Sequence, residues 1–123
     1  MVFWKLNLRE IITRKIMIRI DIYLTNNEVM AISEALKKIN VGGLTVIKKR
    51  GRGKKPPPEL HAGKGSMIFQ PQFTEKYVIE LVVGENQKDE AIKIIRENST
   101  RGKIFVTPNV DMIDIKTGDM NND

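Results

Sequence analysis

The chain has 123 residues, enough for one two-layer domain, with 41% apolar and 29% charged residues and a formal charge of +6. It contains no cysteine, which excludes disulfides, thiol catalysis and thiolate metal sites together. No run approaches the ~20 apolar residues that span a bilayer, and Lys5, Arg9, Glu10, Arg14 and Lys15 break up any signal-peptide core, so the cytoplasm is the expected location.

Residues 1–16, with Phe3 and Trp4, read as an extension ahead of the domain, or as a translation start set too early. Ile16, Ile18, Ile20, Ile22 and Leu24 then alternate with Met17, Arg19, Asp21 and Tyr23, the period of a half-buried strand. Thr25-Asn-Asn-Glu28 has capping-box spacing. The helix it predicts puts Val29, Ile32, Leu36 and Ile39 on one face, pairs Glu34 with Lys38, and stops at Gly42-Gly43. Leu44–Ile47 starts a second strand.

That strand runs into a basic segment. From Lys48 to Lys64 there are seven Lys or Arg (48, 49, 50, 52, 54, 55, 64) against Glu59 alone, a local +6 that equals the charge of the whole chain. Basicity is therefore a local device. Gly51-Arg-Gly53 lets backbone amides approach an anion because no Cβ intervenes, and Lys54 and Lys55 supply charge beside them. Phosphate is the guest this chemistry suits. Pro56-Pro57-Pro58 imposes an extended stretch and Gly63 and Gly65 a flexible one. A connection of about 20 residues in a compact domain points to function, and the segment 50–73 is the expected arm.

Lys76–Val83 reads as a third strand, Glu85–Asn98 as a second helix capped by Asn86 with Ala91, Ile92 and Ile95 inward, and Ile104–Val106 as a fourth strand. Met112, Ile113 and Ile115 suggest a short fifth strand, and Gly118–Asp123 a fraying tail. Glu80, inside an apolar strand, calls for an exposed face or a lysine partner such as Lys103. The order is βαβ, long loop, βαβ. It predicts an α+β, ferredoxin-like fold: a four-stranded antiparallel sheet, both helices on one face, and the loop between strands two and three. The other face is left open with apolar residues on it, and packing in a closed cyclic oligomer would cover it.

Glu34-Ala-Leu36, Gly43-Leu-Thr45-Val46, Gly51-Arg-Gly53, Lys76, Ile79-Glu80-Leu-Val-Val83, Gly102-Lys-Ile-Phe-Val106 and Ile113-x-Ile-x-Thr117-Gly118 occur in one order. In that order the chain resembles the PII signal-transduction family over residues 17–119, leaving 120–123 as a tail. The resemblance implies a homotrimer that binds ATP or ADP between subunits and moves its long loop to control an ammonium transporter or a nitrogen-metabolism enzyme, with recruitment to the membrane when the partner is a transporter. It implies that Thr45 lies on the adenine side, Gly51 and Gly53 form the loop base against the nucleotide, Val82 meets adenine through its backbone, and Gly102-Lys103 bind phosphate.

Four departures accompany it. The family run Thr-Gly-x-x-Gly-Asp-Gly-Lys appears as Asn98-Ser-Thr-Arg-Gly-Lys103, about two residues shorter. The paired phosphate-clamping arginines are Asp114 and Lys116, so Asp114 is expected to repel a triphosphate unless Arg101 or a metal neutralises it. The glutamine that serves magnesium and 2-oxoglutarate is Lys55, which leaves both ligands open. The only tyrosines, Tyr23 and Tyr77, fall on strands, so a loop tyrosine for nucleotidylation is absent.

The competing reading is a nucleic-acid-binding module that contacts backbone phosphates through the basic segment. The lack of aromatics from Lys48 to Lys64 for base stacking argues against it. Catalysis is not expected, because no nucleophile–base set, metal cluster or carboxylate pair stands out. His61, the sole histidine, has no second histidine or any cysteine to form a metal site with, and Ser66 alone carries no signal.

Overall fold

A computed structural model describes residues 15–53, 60–62, 67–69 and 73–121. Its elements in order are β1 (Met17–Leu24), α1 (Val29–Lys37), β2 (Thr45–Gly51), β3 (Leu60–Ala62), β4 (Met67–Phe69), β5 (Thr74–Gly84), α2 (Glu85–Glu97) and β6 (Gly102–Val110). Four of the strands form one sheet in the order β2-β5-β1-β6, every neighbouring pair antiparallel. This is the ferredoxin-like arrangement expected. β3 and β4 pair separately within the long connection.

Period-two alternation decides which residues meet the helices. Ile18, Ile20, Ile22 and Leu24 of β1 share a face with Ile79, Leu81 and Val83 of β5, and all are buried against Ile32 and Leu36 of α1 and Ala91 and Ile95 of α2. Full burial of each such aliphatic stabilises by roughly 1.5–3 kcal/mol, and this one cluster is the core.

The helix ends differ from their sequence signals. The expected capping box does not form: Glu28 is itself the N-cap residue of α1, with no side-chain capping bond, and its carboxylate reaches Thr100 instead. Glu34 pairs with Lys37 at 3.4 Å, one residue short of the expected Lys38. α1 stops before Gly42-Gly43. Asn40 takes φ 62°, its N–H bonds the Lys37 carbonyl, and Val41 N–H bonds the Leu36 carbonyl, while Val41 itself packs into the core. That is a Schellman closure with asparagine in the left-handed position. For α2 the N-cap is Gly84, not Asn86, and the last carbonyls are taken by side chains: Asn98 Nδ2 to Ile94 at 2.9 Å and Ser99 Oγ to Ile95 at 2.6 Å.

Two further expectations are corrected at the C-terminal end. The fifth strand is a turn: Ile113 makes a single bridge to Met120, and Asp114 closes the residues between them. The segment does not fray as far as Asn121, which is 3% exposed, donates from Nδ2 to the Lys15 carbonyl at 2.8 Å and accepts from Met112 N–H at 2.9 Å. Ahead of β1, the Ile16 carbonyl accepts from Glu85 N–H at 2.9 Å, so residues 15 and 16 are tied to the domain. Phe3 and Trp4, the proline run, Lys54, Lys55, Gly63, Gly65 and Ser66 lie outside the described residues.

Candidate functional site

The face of the sheet turned away from the helices carries the polar chemistry. Strand register lines it up in rows: Thr45, Glu80, Asp21 and Phe105, then Ile47, Val78, Tyr23 and Lys103, then Lys49 and Lys76. Arg19, one row earlier on β1, puts Nε 3.1 Å from Asp21 Oδ2 and Nη2 2.8 Å from Glu80 Oε2. The bond and charge of Asp21, then the charge of Glu80, raise the Arg19 pKa further and keep the guanidinium firmly protonated. Glu80 thus has Arg19 as its partner, rather than Lys103. Tyr23 meets Phe105 edge-on at 5.3 Å, and Lys49 Nζ stands 5.6 Å from the Tyr23 ring centre. Lys49 and Lys76 are directly opposite across β2 and β5, and neither has a carboxylate partner among the described residues. Like charges so placed repel, and an anion would relieve them.

The basic segment begins on a strand. Lys48, Lys49 and Arg50 belong to β2, and Gly51 is its last residue, paired with Thr74. Thr45 opens the same strand opposite Glu80. A Cβ built on Gly51 would only touch the Lys76 stem at 3.6 Å, so packing within the protomer does not demand glycine there. Gly102 is different. It has φ 153°, and a Cβ would collide with the Tyr23 carbonyl where β6 crosses the end of β1. Packing alone therefore accounts for the glycine before Lys103.

The structure brings Arg101, Gly102 and Lys103 together beside Tyr23, and places Val82, 39% exposed, on the same open face as Thr45. It does not bring these groups to one point. Thr45 and Lys103 sit on the two edge strands, three strand spacings or about 14 Å apart across the sheet and one row apart along it. Lys116 belongs to the C-terminal turn, which is tied to Lys15 at the far end of β1 from Tyr23, about 25 Å along the strand. Sequence reading missed Arg19, Asp21 and Lys49 as members of this face, although the alternation of β1 had already put Arg19 and Asp21 opposite the core side.

Residues 17–119 match the family model for nitrogen regulatory protein P-II. The chain belongs to the P-II family. It is 35% identical over 98 residues to a nitrogen regulatory protein P-II of Pasteurella multocida, covering 75% of this chain and 85% of that one. It is 34% identical over 96 residues to a P-II homolog of Arabidopsis thaliana, covering 74% of this chain but 48% of the relative, so it spans about half of that protein. Among solved structures, Arabidopsis P-II bound to citrate superimposes with a TM-score of 0.64 at 28% identity, over 87% of this chain and 89% of that one. B. subtilis GlnK gives 0.65 at 25% identity, over 85% and 95%. P-II proteins are regulatory signal transducers, and this chain is a P-II-like regulator with their ferredoxin-like fold.

Asp114 has a local structural task. Its Oδ1 accepts the N–H groups of Lys116 and Thr117, both at 2.9 Å, and the Thr117 hydroxyl at 3.2 Å. The Thr117 amide, then its hydroxyl, hold the Asp114 pKa below the usual carboxylate value. The carboxylate stays anionic and is committed to a turn. No helix among the described residues is long and apolar enough to cross a membrane.

Proposed function

We propose that this P-II chain is a homotrimeric regulator that binds ATP or ADP in clefts between subunits. Through its basic arm at residues 50–73 it controls a membrane transporter or a metabolic enzyme, from the cytoplasm or at the membrane where a transporter holds it. The observation that carries this reading is the dispersal of the candidate residues: Thr45 and Lys103 on opposite sheet edges, Lys116 at the far end of β1. Groups spread this widely do not converge on one ligand within a protomer. Cyclic packing of open sheet faces sets the edge of one subunit against its neighbour, and so supports a shared site. Exposed Val82 and Phe105 on that face would be covered by the same packing.

In this site Thr45 and the Val82 backbone take the adenine side. The amides of Gly51 and Gly53 with Lys54 and Lys55 flank the phosphates, and Arg101, Gly102 and Lys103 with Lys116 of a neighbouring subunit close on them. Asp114, being held in its own turn, acts on phosphate only through its charge, which favours ADP over ATP more than an arginine would.

Calorimetry with ATP and ADP, with and without Mg2+ and at two salt concentrations, tests the reading. Saturable binding at one nucleotide per subunit supports it. Steep, salt-dependent binding of any polynucleotide without nucleotide binding would replace it with the nucleic-acid module. Light scattering that returns a stable monomer at micromolar concentration would remove the shared site.

A further inference from the structure

The connection between α2 and β6 already holds an anion, and it comes from the chain itself. Glu28 Oε1 accepts the Thr100 backbone N–H at 3.1 Å and the Thr100 hydroxyl at 3.0 Å. Asn26 Nδ2 donates to the same hydroxyl oxygen at 3.1 Å, and Thr25 N–H donates to the Arg101 carbonyl at 3.2 Å. The short Asn98–Lys103 stretch is therefore moored to residues 25–28. Within it, just after Thr100, stand Arg101 and Lys103, both exposed and neither paired with a carboxylate among the described residues. An oxyanion that takes one backbone amide and one hydroxyl beside two cations is held as a phosphate oxygen would be held.

We propose that Glu28 is a specificity-determining residue, whose carboxylate occupies the seat on Thr100 that a terminal phosphate oxygen of the ligand would otherwise take. This rests on the nucleotide-binding reading above. Two anions do not share the Thr100 N–H, so an incoming phosphate displaces Glu28 or lies against its charge. The resulting penalty grows with the charge of the ligand, and falls harder on a triphosphate than on a diphosphate. Glu28 at the same time fixes the height of the loop, so two substitutions separate its two effects. Glu28→Gln keeps an acceptor of the same length for Thr100 and removes the charge. Glu28→Ala removes both.

The test uses the full chain, labelled with nitrogen-15, and follows the Thr100 amide while inorganic tripolyphosphate is added. Glu28→Gln is expected to saturate at a concentration on the order of tenfold lower than wild type, with the shift centred on Thr100. Glu28→Ala, its loop released, is expected to gain less than Glu28→Gln. Equal saturation in wild type and Glu28→Gln, tighter binding by wild type, or no saturation in either overturns the assignment. ATP and ADP are then titrated by calorimetry into the same proteins, and Glu28→Gln should raise the ratio of ATP to ADP affinity severalfold. If tripolyphosphate separates the two proteins but neither nucleotide binds, the nucleotide reading fails and the Glu28 seat stands. If nucleotides bind wild type and Glu28→Gln alike, with an unchanged ratio, Glu28 fails and the nucleotide reading stands.

Discussion

The two faces of the same sheet are built to different rules. Toward the helices, β1 and β5 present close-packed aliphatics, Ile18, Ile20, Ile22, Leu24, Ile79, Leu81 and Val83, with Tyr77 packed against them. Toward the open side the same strands present Lys76 together with Arg19, Asp21, Tyr23 and Glu80, and these last four are held by ion pairs, an edge-on aromatic contact and a cation over a ring. One residue of register separates the two inventories. The contrast teaches that the core face specifies the fold, whereas the open face is left to specify what approaches it.

The largest losses are expected on the core side. Leu36→Ala, at a fully buried position of α1, is expected to cost about 2–5 kcal/mol in urea unfolding. Val82→Ala on the open face should cost well under half of that in the same assay. Near-equal losses would mean that the open face is as tightly packed as the core.

On the ligand side, Lys103→Ala should weaken ATP and ADP about tenfold or more, since a charge-assisted phosphate contact is worth roughly 1.5–3 kcal/mol. Calorimetry that finds wild-type affinities would take Lys103 out of the site. Arg19→Ala sharpens the contrast in another way. It leaves Asp21 and Glu80 side by side without their shared cation, so the subunits should dissociate at lower dilution factors in light scattering while the midpoint of protomer unfolding barely moves. An unchanged assembly would mean that the open face is not the contact surface.

The smallest effect belongs to Asp114. Its folded pKa is depressed, so the stability it contributes is present above its unfolded pKa and is lost as pH falls through the lower folded value. Thermal unfolding of Asp114→Asn should therefore show a shallower acid decline than wild type, with a slightly lower midpoint at neutral pH. Identical acid limbs would show that the turn gains nothing from the charge.

The sequence made β1 and β5 legible because period-two alternation and an apolar run are local signals. It under-read β6, stopping at Val106, because Thr107-Pro-Asn109 looks like a break. The strand continues because β6 is an edge, where Pro108 need not donate, and because Asn109 at φ 55° absorbs an extra residue opposite Met17–Arg19. The helix stop at Asn40 was missed in favour of the more obvious glycines two residues on. Candidate residues were nameable one by one, yet the distance between Thr45 and Lys103 was not, since strand order is a long-range property. Asp114-Ile-Lys-Thr-Gly118 carried ordinary turn chemistry that a concern with charge obscured.

Asn121 has a consequence beyond its own turn. By bonding the Lys15 carbonyl and the Met112 amide, it fastens the entrance of the central strand to the exit of the chain. The domain is in effect a closed ring of backbone, sealed by one amide side chain. A permuted chain in which residues 15 and 121 are joined by a short linker should then fold, with new ends opened after Gly53, beyond the last residue of β2. Conversely, a truncation that stops at Gly118 would unseal the ring at β1, an inner strand of the sheet paired with both β5 and β6.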